Sequence, residues 1–168
     1  AAGAGGSGGH AHDDVTSYDL WCDGPLVAHR GTGAYAADLG LRERLRSIAA
    51  HAALQVDGRE MNDSVPGRAF RRRHRAHAFL ASFDGGEHGS AASIGHHGFA
   101  TPAPAVFVLR TLRLDGARLR VEDAVEGSSE HELTLRLPWA PGIDVASREG
   151  VLHLSRGGIL VATFAFES

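Results

Sequence analysis

Apolar and polar residues alternate along much of the second half of the chain, the two-residue period of a strand with one buried face. Over Ala105–Leu114, Val106, Val108, Leu112 and Leu114 share one face, interrupted by Arg110. Asp115-Gly116 follows as a hairpin turn. Arg118–Val125 sets Leu119, Val121 and Val125 against Arg118, Arg120 and Glu122, and Asp123 falls on the otherwise apolar face. A buried carboxylate needs a hydrogen-bond partner, so one is expected for Asp123 in a turn or on a neighbouring strand. His131–Trp139 repeats the pattern with Leu133, Leu135, Leu137 and Trp139 inward. Ala76–Phe83, Ser90–Ile94, Val151–Leu154 and Ile159–Phe166 read as further strands, with His96-His97-Gly98 in a turn.

The first half is less regular. Val15–Asp23 and Ala52–Asp57 suit strands, and Pro25–Ala28 is a short apolar run ending at His29. One helix is predicted, over Leu39–Ala50. Its apolar face is Leu41, Leu45 and Ile48, with Arg42, Arg44 and Arg46 interleaved. Many strands, regular turns and little helix predict an all-β fold, an antiparallel β-sandwich with one short helix.

Composition narrows the class. A chain of 168 residues, 43% hydrophobic, suits one domain with a real core. Charged residues at 22% and a net charge of −3 exclude bulk disorder and a strongly basic nucleic-acid binder. No apolar run reaches the ~18 residues of a membrane span. One cysteine, Cys22, excludes an internal disulfide framework and reads as a small buried hydrophobe. Trp21 and Trp139 read as core or rim packing. All 17 basic Lys/Arg positions are Arg, which reads as a coding bias. Residues 1–9, AAGAGGSGG, form a Gly-rich linker that is neither secretory signal nor transit peptide. Residues 10–168 form the domain, and the start just ahead of GHAHDD reads as a piece of a longer protein.

Histidines carry the candidate chemistry. His10 and His12 are two apart, so on a strand both would face one point. Asp13 and Asp14 follow and could orient a ring by accepting its second N–H. Alone, this pair reads as surface histidines. His29 and His51 stand at the edges of apolar runs, where each singly reads as a core or rim histidine. Three imidazoles from separate strands make a zinc geometry. Arg71-Arg72-Arg73-His74-Arg75 is the densest basic run; a solvated strand or loop is favoured over an anion-binding edge.

The run GGHAHDDVTSYDLWCDGPLVAHRGTGAY, then RERLRSIAAHAALQVDGREMND, then HHGFATPAPAVFVLRTLRLDGARLRVEDAVEG, closely resembles the heparinase II/III-like polysaccharide lyases, from Gly8 to about Pro141. The resemblance implies an N-terminal α/α toroid joined to a C-terminal antiparallel β-sandwich. It implies cleavage of uronic-acid polysaccharides such as heparin, heparan sulfate and alginate by β-elimination, and a periplasmic or secreted bacterial protein. It assigns zinc to His12, His29 and His51, with His29 standing where the family has Asp. It assigns His10 as the active-site histidine and leaves Tyr35 as the phenol of the GTYxY step, where Gly33 replaces the first Tyr. Ala52 replaces the Asn after the AH pair, and Phe99 replaces the Tyr of the H-x-GY step, each removing a polar group near the presumed cleft.

The expected function is therefore the sandwich domain of a lyase acting on an acidic polysaccharide, inactive without its toroid. The alternatives are a non-catalytic carbohydrate-binding or exopolysaccharide-assembly module, and an unrelated metal-binding β domain. Nucleic acid and a membrane span are not expected.

Overall fold

Alternation over residues 79–127 builds the largest element of the fold. In a computed structural model, which describes residues 8–33, 36–87 and 89–167, the elements follow in chain order. They are β1 (Leu20–Trp21), β2 (Pro25–Val27), α1 (Leu39–Arg46), a single 3-10 turn (Ile48–Ala50), β3 (Leu54–Val56), β4 (Asp63–Ser64) and β5 (Arg72–Arg73). Then come β6 (Phe79–Gly86), β7 (Gly89–Phe99), β8 (Val106–Asp115), β9 (Arg118–Gly127), β10 (Leu133–Leu135), β11 (Asp144–Arg148), β12 (Val151–Arg156) and β13 (Ile159–Ala165). The chain is all-β and antiparallel, as a sandwich with one short helix requires.

β6-β7-β8-β9 form a four-stranded meander and β11-β12-β13 a three-stranded one. Three two-stranded pairs, β1-β2, β3-β10 and β4-β5, add to these, and a single bridge joins Val27 of β2 to Trp139. Val106 and Val108 of β8 and Phe99 of β7 pack with Ile48, Leu54, Val56 and Met61, so the core lies between the large meander and the β3 layer. Val125 of β9 closes its edge.

Arg110 is the exception on that apolar face, and it is fully buried. It sits directly opposite Asp123 across β8 and β9. Its Nε and Nη2 donate to the two carboxylate oxygens at 2.7 and 2.6 Å, so the partner expected for Asp123 is on the neighbouring strand. Nη1 donates to the carbonyls of Thr16 (2.9 Å) and Ala52, tying the meander to the loops beneath.

Several expectations change. Val15–Asp23 is loop except at β1, because Asp13, Thr16 and Ser17 bind other segments instead of a ladder. The helix ends at Arg46, capped by Asp38, whose carboxylate accepts from Leu41 N–H at 2.8 Å. Its buried residues are Arg42 and Arg46, while Leu41 and Leu45 are half-buried. These guanidiniums stay inside because they meet backbone carbonyls. In the stretch His131–Trp139 only β10 is strand, and Leu133 and Leu135 are exposed at 49% and 38%, since β10 pairs only β3 at the edge. Cys22 and Trp21 are exposed in the short β1-β2 hairpin rather than packed. His96 and His97 lie within β7, not in a turn. His96 is fully buried, with its Nδ1 accepting from Gly98 N–H at 3.1 Å. Burial pushes its pKa down to about 4. The strand β11 was not foreseen.

Candidate metal centre

Three side chains from three chain segments meet at one point. His12 lies in the loop before β1, His29 two residues past β2, and His51 immediately after the 3-10 turn. The loop from Gly8 to Asp13 has no sheet partner, so buried guanidiniums hold it. Arg46 Nε donates to Ala11 O (2.8 Å) and Nη2 to Gly8 O (2.9 Å), while Arg42 Nη2 donates to Gly9 O. Gly8 adopts φ +69°, and a Cβ there would come within 2.9 Å of Arg72 O, so only glycine fits.

Asp13 fixes the other side of the loop. It is fully buried, and its Oδ1 accepts from Asn62 Nδ2 (2.7 Å) and pairs with Arg72 Nη1 (2.8 Å). Asn62 Oδ1 in turn accepts from the N–H groups of Arg75 and Ala76. Glu60 accepts from Ile48 N–H at 2.9 Å. Burial, helped by a hydrogen bond to Asp13, raises the Glu60 carboxyl to about 8. Asp13 therefore anchors the loop and does not orient a ring. Among the described residues no carboxylate bonds to the three rings.

His12 Nδ1 lies 3.3 Å from His51 Nε2 and 3.3 Å from His29 Nε2. One ligand nitrogen from each ring falls within 4.8 Å of the others, so the three can hold a metal ion. Two nitrogens bound to zinc at 2.0–2.1 Å and at the tetrahedral angle stand about 3.3 Å apart, so two of the contacts match directly. His12 and His51 are buried and His29 is exposed, which leaves the group open to solvent on one side. Burial first, then the neighbouring imidazoles, lowers His12 to about 4. Burial also lowers His51. Both rings are thus neutral near pH 7, the form that binds a metal.

Binding a cation here would require a change of tautomer at His29. His29 Nδ1 accepts from Gly31 N–H at 2.9 Å, so a neutral His29 carries its proton on Nε2, facing His12. His51 Nε2 approaches the same His12 nitrogen, and one lone pair cannot accept two full hydrogen bonds. To hold a metal through Nε2, His29 would carry its proton on Nδ1 and give up the Gly31 contact. His51 Nδ1 is buried without a partner, so packing rather than an acceptor holds that ring.

The family model described as heparinase II/III-like, C-terminal, matches residues 1–168, the whole chain. The chain belongs to the heparinase II/III-like family. No curated protein and no solved structure matches it significantly. For this heparinase II/III-like domain, the structure brings His12, His29 and His51 together. It does not bring in His10, which is exposed on the loop and outside the cluster. The loop is not a strand, so the two-residue spacing does not aim both rings at one point. Tyr35 lies outside the described residues. Ala52 and Phe99 are fully buried, so those two departures from the family fall in the core and do not line an open cleft. Sequence reasoning missed the buried arginines, Glu60 and Asn62. The i,i+4 spacing of Arg42 and Arg46 was the available signal.

Proposed function

We propose that this domain works in a polysaccharide lyase that cleaves a uronic-acid polymer, of the heparin, heparan sulfate or alginate type, by β-elimination. Zinc is the metal at His12, His29 and His51, and its role is structural. The convergence of these three imidazoles, in a chain of this family, is the observation that carries the reading. Bound zinc would supply a cross-link between three otherwise loosely paired segments. Those segments set the loop that presents His10.

β-Elimination requires the uronate carboxylate to be neutralised, the C5 proton removed and the leaving oxygen protonated. His10, exposed on the metal-bearing loop, suits neutralisation or proton removal. Tyr35 suits proton transfer to or from the glycosidic oxygen. The remaining acid-base groups come from an N-terminal α/α toroid, and the protein works in the periplasm or outside the cell.

The test is product absorbance from unsaturated uronate on alginate and heparan sulfate. The 168-residue chain alone gives none. A protein extended through an N-terminal helical domain gives product, and His10→Ala abolishes it. Product from the chain alone, or none from the extended protein, contradicts the proposal.

A further inference from the structure

We infer that an arginine-lined cleft behind the metal-bearing loop is a second binding site, taking the sulfate or carboxylate groups of an acidic polysaccharide. The choice of a sugar chain rests on the lyase reading above. The cleft holds about 410 Å³ and is lined by Val65, Arg68, Arg71, Arg72 and Arg73.

Local structure explains why the arginines converge. Arg68 N–H bonds Val65 O and Arg71 N–H bonds Arg68 O, both at 2.9 Å, so two successive turns bring Arg68 and Arg71 round to β5. Alternation in β5 then buries Arg72 and exposes Arg73.

Several arginines elsewhere also lack a carboxylate partner among the described residues, but this cleft gathers three such groups around one cavity. Arg46, Arg75, Arg110 and Arg120 each have a carboxylate partner. Arg72 has Asp13 at 2.8 Å and Glu43 at 3.9 Å. Arg68, Arg71 and Arg73 are exposed and have no carboxylate partner among the described residues. Three uncompensated guanidiniums around one concavity raise a local positive potential on a chain of net charge −3.

An independent feature points the same way. The Arg72 side chain is only 3% exposed, lines the cleft, and has a buried Nε with no hydrogen-bond partner. An unmet donor in the wall of a cationic cleft is what a bound oxyanion satisfies, and the planar guanidinium fork matches sulfate and carboxylate. An adjoining cleft of about 460 Å³ shares Arg68 and Arg71 and adds Leu39 and Phe70. It offers apolar surface to a pyranose ring beside the charged groups.

Isothermal titration of the chain with a heparin hexasaccharide, a mannuronate hexasaccharide and a short single-stranded DNA tests this. At least one sugar binds, and Arg68→Ala/Arg73→Ala weakens it at least tenfold without changing the melting temperature. Arg120→Ala, an exposed arginine elsewhere, leaves binding unchanged. The tighter sugar names sulfate or carboxylate as the favoured group. Unchanged affinity in the double variant, no binding of either sugar, or DNA binding as tight as sugar overturns the site. Turnover by the extended protein is scored separately. Cleft-dependent binding without turnover defeats the lyase reading alone, and turnover with unchanged binding in the double variant defeats the cleft alone.

Discussion

The two halves of this domain are built from different interiors. Between β6 and β9 the chain follows strand alternation, and its buried side chains are Phe99, Val106 and Val108 with His96 and one buried ion pair, Arg110–Asp123. From Gly8 to Ala76 there is little ladder, and the interior holds Arg42, Arg46, Arg72, Asp13, Asn62, His12 and His51. Burying charge costs several kcal/mol per ion unless each group is paired. Here the guanidiniums are paired with carbonyls as well as carboxylates, because a planar five-donor head can reach several acceptors that an ammonium cannot. The Gly8–Ala76 region therefore adds satisfied polar groups to an apolar core that includes Ile48, Leu54, Val56 and Met61, while β6–β9 contributes mainly apolar area.

The sharpest way to break that contrast is to remove a fully buried charged group that the two regions share. Arg110→Ala leaves Asp123 without its partner and frees the carbonyls of Thr16 and Ala52, so it is expected to cost about 3–5 kcal/mol. The same change at Arg120, whose partner Glu122 is exposed, should cost under about 1 kcal/mol. Urea midpoints of the two variants check the ratio. Equal losses would mean that the buried pair is not what joins the halves.

A smaller effect separates the polar half by pH. Glu60 is protonated in the folded state up to about pH 8 but ionises near 4.5 when unfolded. The unfolded state therefore loses its proton first, and stability falls as pH rises from about 4.5 to 8. Glu60→Gln keeps an acceptor for Ile48 N–H and a donor toward Asp13, so it should flatten this slope. Melting temperatures at pH 6 and 8.5 read it. A variant with the same slope as the wild type would place the pH dependence elsewhere.

Legibility followed the same divide. Alternation located β8 and β9 closely and made Asp123 stand out as a carboxylate in need of a partner. It failed over Val15–Asp23, where side chains bond to distant segments and no ladder forms. It also failed on α1, where the buried face is Arg42 and Arg46 because most of their acceptors are backbone carbonyls of distant segments. The absence of lysine looked like a coding bias, yet at Arg46 and Arg110 the guanidinium does work lysine could not. Of the candidate site, His12, His29 and His51 were legible through the family motif and the run edges. The separation of His10 from the cluster came from the family motif alone, since two-residue spacing says nothing once the strand is lost.

The central claim is that three imidazoles hold a metal that braces the polar half. Zinc content of the purified chain, measured with its melting temperature before and after chelation, tests it most directly. One zinc per chain is predicted, lost on His12→Ala or His51→Ala, retained in His29→Asp, with chelation lowering the melting temperature. A chain that folds without metal and melts at the same temperature with and without zinc would contradict it.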